Sequence, residues 1–414
     1  MRQRVFLSLF LVLFLSPLAA QRKLLLKLMK SHPEQFGVVL QHPEQYDVQV
    51  IYTQIDRDRD NFPHFKSYTY QLDASHYFYP ASTVKMPTAF MALEKINRLH
   101  IPGLDRYSTM KTGAGHPPQT AAAADTTSPT GLPSVGHYVK KIFLVSDNDA
   151  FNRLYEFIGQ QQLNEGLWAK GYDHVRIVHR LESSGFDAEA NRYTNPVSFY
   201  SGDSLLYHQA EVYGRAEKHF DLRKVKRGKG FYKNGVLVNE PFDFSEKNYI
   251  SLQDLHDILK AVLFPGAVPS ARRFDLAKED YRFLYRVMSE RPRESHFPDY
   301  SDKPDHYAKF FIYGDEDDGE RMPENVRIFN KPGEAYGFLT DVAYVVDFEA
   351  GVEFMLAATI HVNKDGIYND DNYEYESVGL PFLANLGRVV YDFEKRRKRK
   401  YRPDLSRFLI EDYN

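Results

Sequence analysis

Ser82-Thr83-Val84-Lys85 puts a hydroxyl and an amine three positions apart, ahead of an apolar helical stripe of Met86, Phe90, Met91 and Leu93. Residues i and i+3 of a helix share a face, so the two side chains can meet. A serine hydroxyl is a poor nucleophile until a neighbour takes its proton. A lysine buried beside other cations loses proton affinity and can be that neighbour. A helix starting at Ser82 also offers free N–H groups and its positive end to an oxyanion. Two further stretches carry compatible chemistry, Ser146-Asp147-Asn148 and Lys331-Pro332-Gly333. Singly, each has an ordinary explanation: a helix cap, a capping turn, a strand-end charge. Of the three, Ser82 with Lys85 carries a chemistry of its own, that of an activated nucleophile.

Such residues need elements to hold them. Residues 47–55 alternate as a strand with Val48, Val50 and Tyr52 on one face, and 67–72 read as a second strand. Late in the chain, "NVRIFNKPG", "GFLTDVAYVVDF" and "VEFMLAATIHV" predict an antiparallel meander with glycine turns. "KLLLKLMKSHPEQF" predicts a short amphipathic helix ended by Pro33, and "LPFLANLGRVVYDFEKRRKRK" a C-terminal helix with a basic tail. Residues 139–158 and 274–289 are helical in pattern, as is "SLQDLHDILKAVLF", capped by Ser251 with Asp254. Residues 116–139 read as a loop, and "HPEQF" at 32–36 and "HPEQY" at 42–46 as a local duplication. The texture changes over 194–249, which contains a basic run at 223–229 and the hairpin signal Lys233-Asn234-Gly235-Val236. Both that run and the tail at 395–400 read as solvated charge. The expected fold class is α/β (α+β). The two termini (about 21–80 and 322–400) form an antiparallel sheet flanked by helices. A mainly helical region, about 81–321, is inserted between them and includes an extra segment near 194–249.

The bulk composition narrows the partners. With 43% hydrophobic and 26% charged residues, the 414-residue chain can bury a large core. A net charge of -3 gives no reason to expect nucleic acid. Residues 1–20 read as a secretory signal peptide, with Arg2 and Arg4 before an apolar run and cleavage near Ala20. Its loss takes the charge to about -5 and leaves no membrane span, so the expected location is secreted or periplasmic. Without cysteine there is no disulfide and no thiol chemistry. The histidines show no metal-ligand spacing and no glycine-rich phosphate loop occurs, so neither metal nor cofactor is expected. The acidic stretch 363–376 lacks the order of a calcium loop and reads as a strand connection.

The three stretches resemble the S-x-x-K, S-D-N and K-T-G elements of class A β-lactamases and penicillin-binding proteins. The resemblance runs from about Asp47 to the C-terminal helix. It implies Ser82 as nucleophile, Lys85 as its base, and Ser146 as proton donor to the leaving nitrogen. Asn148 would bind the substrate amide and orient Lys85. Lys331 and Gly333 would line the substrate site, Lys331 holding a carboxylate, and the N–H of Glu334 would be the second oxyanion donor. Glu182, in Arg180-Leu181-Glu182, would activate water to release the acyl group. A second match, Ser108 to Lys111 with Lys111-Thr112-Gly113, is set aside: it precedes Ser146 and lies in a polar, loop-like stretch.

Two departures bear on turnover. Phe186 stands where the family places an asparagine that shares the water, with Ser183, Ser184 and Asn191 as substitutes. Pro332 stands where a hydroxyl normally meets the substrate carboxylate, and proline has no such donor. The expected activity is an exported serine hydrolase opening a β-lactam amide through acyl-Ser82. Its partner would be a small β-lactam or a peptidoglycan-derived peptide. A D-alanyl-D-alanine peptidase or esterase with the same first step is the alternative within enzymes. An inactive wall-binding or sensor protein is the alternative outside them.

Overall fold

The structure, a computed structural model, describes residues 17–410, 412 and 413. The expected signal sequence therefore lies, up to residue 16, outside the described residues. Five strands form one antiparallel sheet: β1 (Gln49–Arg57), β2 (Pro63–Tyr70), β3 (Val326–Ala335), β4 (Phe338–Asp347) and β5 (Val352–His361). Their spatial order is β3-β4-β5-β1-β2, so the two ends of the chain do build the sheet. The late meander is buried on both faces, which explains its long apolar runs.

The helices that frame the sheet are α1 (Pro17–Lys30), α2 (Lys85–Leu99), α3 (Val135–Val145), α4 (Asn148–Ile158), α5 (Leu252–Leu263), α6 (Lys278–Ser289) and α7 (Leu380–Arg396). Helices α1 and α7 cover one face, where Leu25, Met29, Leu383 and Val390 meet Val48, Val50, Tyr52 and Phe354. The opposite face packs Ile51, Phe329, Val342 and Met355 against the inserted region, including Leu255 and Ile258 of α5. Residues alternate between faces along a strand. Phe329, Lys331 and Gly333 thus share the face toward the helices, with apolar Phe329 fixing the register of a buried lysine.

Several expectations are corrected. The pattern over 139–158 is two helices, broken at Ser146 and Asp147, because the apolar stripe continues through the joint while the backbone turns. Pro33 does not end a helix but opens the next, Pro33–Gln41, and Pro43 opens Pro43–Tyr46, so the duplicated "HPEQ" is a twice-used helix start. The stretch at 109–112 is not a loop. It is a strand, Thr109–Thr112, paired with Val197–Ser201. The segment 194–249 is made of short strands, among them the hairpin Gly230–Lys233 and Val236–Val238, whose turn residues Asn234 and Gly235 have φ 52° and 78°.

The basic runs are not simply solvated. Arg227 is buried, with Nη1 2.7 Å from Asp47 Oδ2 and Nη2 2.9 Å from Tyr77 O. At the tail, Arg397 Nε lies 2.9 Å from Glu394 Oε2, and Arg399 and the Tyr52 hydroxyl bond the same buried carboxylate. Removing one partner of a buried ionic cluster leaves the others uncompensated, at a cost of about 3 kcal/mol. Glu394→Ala should therefore lower the urea midpoint, at constant m-value, by that loss divided by the m-value. An unchanged midpoint would mean that water already screens the cluster.

Candidate active site

Pro80 and Ala81 set up the turn that carries Ser82. Ala81 sits in the left-handed region, φ 46°, a conformation that costs a residue with a Cβ about 1 kcal/mol. Thr83 then locks the turn, its N–H and hydroxyl both donating to Pro80 O at 3.0 and 2.6 Å. Ser82 stands in a 3-10 turn, Ala81–Val84, and the α-helix proper starts at Lys85. The hydroxyl of Ser82 is consequently not used as a cap and is left for other partners.

Lys85 is fully buried, and its Nζ lies 2.8 Å from Ser82 Oγ. It also contacts Asn148 Oδ1 at 2.5 Å, Ser146 Oγ at 3.2 Å and the carbonyl oxygen of Ser146. Burial lowers its pKa to about 7, against the charges of Asp147 and Glu182, which favour the ammonium. The neutral amine has two protons and one lone pair. With the protons given to Ser146 O and Asn148 Oδ1, the lone pair accepts the Ser82 hydroxyl.

The Ser-Asp-Asn triplet is the joint between α3 and α4. Ser146 closes α3 in a left-handed conformation, φ 60°. Asp147 Oδ1 caps α4 by accepting from Ala150 N at 2.7 Å, and Asn148 is the first residue of that helix. So the triplet is a capping turn, and the same geometry delivers Ser146 and Asn148 to Lys85. From β3, Lys331 reaches Ser146 Oγ at 2.9 Å and Pro332 O at 2.7 Å. Burial and the adjacent Lys85 charge push the Lys331 ammonium well down. The Ser146 hydroxyl thus lies between two lysine nitrogens, in one hydrogen-bonded chain with Ser82.

Gly333 has a steric task. A Cβ built there would fall 2.7 Å from Pro80 O and 2.9 Å from the backbone nitrogens of Ser82 and Thr83. Only glycine lets the edge strand lie this close to the serine turn. Glu334 follows, its side chain exposed.

Glu182 is less firmly placed. It has φ 46°, is exposed, and makes no hydrogen bond or ion pair among the described residues. It is close enough for its charge to act on Lys85. Arg180 does not pair with it: the buried guanidinium bonds Glu156 Oε1 at 2.9 Å and Asn195 Oδ1 at 3.0 Å. Phe186 lies against that guanidinium, 4.1 Å from its carbon to the ring centre. Asn191 is occupied as well, accepting from Arg180 N at 2.9 Å and donating to Asp187 O at 2.9 Å. Ser183 and Ser184 line the same cavity as Glu182, and their hydroxyls make no hydrogen bond among the described residues. The rejected pair does not meet: Ser108 bonds Asp105 and Gly103, while Lys111 lies over the Tyr200 ring.

Sequence reasoning missed an aromatic wall and a buried network. Tyr79 stacks on His179 at 6.2 Å and meets Tyr336 edge-on at 5.0 Å. His179 Nδ1 donates to Arg180 O at 2.6 Å, and burial lowers its pKa to about 4, so it is neutral. On the other face of the sheet, Lys309 donates to Asn330 Oδ1 at 2.8 Å, and Asn330 donates to Asp341 Oδ1 at 2.9 Å. Tyr79 adjoins the serine motif and was findable; nothing in the spacing of 309, 330 and 341 links them. Among the described residues no cluster of His, Asp or Glu suits a metal ion, and no helix is long and apolar enough to cross a membrane.

Two solved structures align loosely with most of this chain. A β-lactamase from Chitinophaga pinensis is 11% identical, with a TM-score of 0.47 over 90% of this chain and 99% of that one. PBP-A is 15% identical, with a TM-score of 0.48 over 89% and 96% of the two chains. Likenesses this loose carry no argument. A search of curated proteins returns no match. The sequence model of the Beta-lactamase enzyme family matches residues 38–393, which takes in the serine turn, the Ser-Asp-Asn joint and all of β3. On that match the chain belongs to the Beta-lactamase enzyme family.

Proposed function

We propose that the chain is an exported serine hydrolase that opens a β-lactam amide through an acyl-Ser82 intermediate. The observation that carries this reading is the 2.8 Å contact between Lys85 Nζ and Ser82 Oγ, with Lys85 buried and its pKa near 7. Neutral Lys85 takes the Ser82 proton as Oγ attacks the amide carbon. The N–H groups of Ser82 and Glu334 hold the oxyanion. The C–N bond breaks as Ser146 protonates the leaving nitrogen, and Ser146 recovers a proton from Lys85. Asn148 and Lys331 hold the substrate amide and carboxylate. Glu182 then takes a proton from water as its oxygen attacks the ester carbon; the bond from that carbon to Ser82 Oγ breaks, and the proton held on Glu182 passes to Oγ, restoring both groups. Residues 1–20 are lost on export.

The test is intact-mass spectrometry of the mature protein mixed with a penicillin and followed over time. A transient adduct on Ser82, absent in Ser82→Ala, is the expected result. The mass also reports whether the first twenty residues are gone. Glu182→Gln should make the adduct persist, and unchanged turnover would remove Glu182 from the mechanism. The unpaired, exposed Glu182 favours a second reading, a peptidase or sensor that acylates and deacylates slowly. A lasting wild-type adduct would select it. No adduct at all would leave a binding protein.

A further inference from the structure

A cavity of about 920 Å³ is lined by Tyr79, which adjoins the serine turn, and by Glu182, Tyr336, Arg176 and Lys247. Tyr336 packs on Phe242 at 5.4 Å, and the Lys247 ammonium lies 5.9 Å from the centre of the same ring, so these two lining residues flank one phenylalanine. The cationic part of the lining is tied down. Asn248 Oδ1 accepts from Val178 N and His179 N at 2.8 and 3.2 Å, which joins the end of the 194–249 segment to the chain leading to Glu182. Arg176 Nε and Nη2 donate to Lys247 O at 3.1 and 2.9 Å.

These two cations differ from their neighbours. Arg180 pairs with Glu156, Arg192 with Glu217, Lys218 with Asp173 and Arg227 with Asp47. Among the described residues, no carboxylate lies within ion-pair distance of Arg176 or Lys247, although both are half-buried. Burial lowers the proton affinity of each. Exposed Glu246 acts on them only through its field. Two other acids that line the cavity accept backbone hydrogen bonds: Asp187 from Ala190 N at 2.7 Å, and Asp243 from Ser245 N at 2.8 Å. Half-buried cations without an anion are costly unless a ligand supplies one.

We infer that Lys247 and Arg176 form a subsite for a carboxylate at the far end of the substrate's acyl side chain. The inference rests on acylation at Ser82, because it takes the acyl group as the part of the substrate that extends into this cavity. The substrate class is then an amide whose acyl part ends in a free carboxylate, carried in a β-lactam by the side chain on the ring carbon next to the reacting carbonyl.

Two penicillins on one nucleus test this, one with an adipoyl and one with a hexanoyl side chain, so that a terminal carboxylate replaces a methyl. At subsaturating concentration, adipoyl penicillin should acylate the protein ~10-fold faster, the scale of one charge-assisted hydrogen bond. The ratio should fall to about one in Lys247→Met and survive in Lys247→Arg. Equal wild-type rates, or a ratio that outlasts Lys247→Met, would overturn the subsite. If neither compound labels Ser82, the acylation reading fails on its own. Calorimetry of both compounds with Ser82→Ala then decides the subsite. Adipoyl binding ~10-fold tighter, and lost when Lys247→Met is added, upholds it; equal binding refutes it.

Discussion

Lys85→Met is expected to slow the appearance of the Ser82 adduct by about 10³-fold, the scale of a positioned general base. Methionine fills the lysine's space without a nitrogen, so the fold should survive. The pH profile carries the sharper information. Burial brings the Lys85 pKa down to about 7, and the working form of a base is the unprotonated one. Acylation by wild type should therefore rise as pH climbs through about 7 and level off above it. In Lys85→Met that rise should vanish along with the rate. A flat wild-type profile between about pH 5.5 and 9 would take the proton-accepting role from Lys85. Near-normal labelling of the variant would do so more directly.

Gly333→Ala should be nearly as damaging, for a different reason. The added methyl meets Pro80 O and two backbone nitrogens, none of which can swing aside as a side-chain end can. Either β3 or the turn Ala81–Val84 must retreat. A displacement of this kind at a nucleophile costs ~10²-fold in rate. The cost in stability is smaller, about 1–3 kcal/mol, as for overpacking elsewhere. Adduct formation measured beside thermal denaturation separates the two effects. A wild-type rate in Gly333→Ala would show that the strand and the turn have slack.

How far the sequence reveals this site depends on the range of each interaction. Ser82 with Lys85, and the cap by Ser251, are local and follow from helical spacing. The late meander was legible because three strands buried on both faces carry uninterrupted apolar runs. The sheet's closure by residues 49–57 was legible from strands placed at both ends of the chain. Arg227 and Arg397 were misjudged as solvated charge because their burial depends on distant partners, Asp47 in the first case and the cluster with Tyr52 in the second. The strand at 109–112 was missed because its partner lies in the 194–249 segment. The left-handed backbone at Ala81, Ser146 and Glu182 left no trace in residue type, since none of the three is glycine or asparagine. Such strain persists only where surrounding contacts enforce it, which local pattern does not report.

Gly333's close approach ties the serine turn to the sheet. The turn packs on the face of β3, with Pro80 O and the Ser82 and Thr83 nitrogens at the position a Cβ of Gly333 would take. β3 is in turn paired with β4 along its whole length, from Val326 opposite Asp347 to Ala335 opposite Phe338. A slip of that pairing would therefore carry Ser82 with it, so that loss of sheet register and loss of adduct formation share one cause.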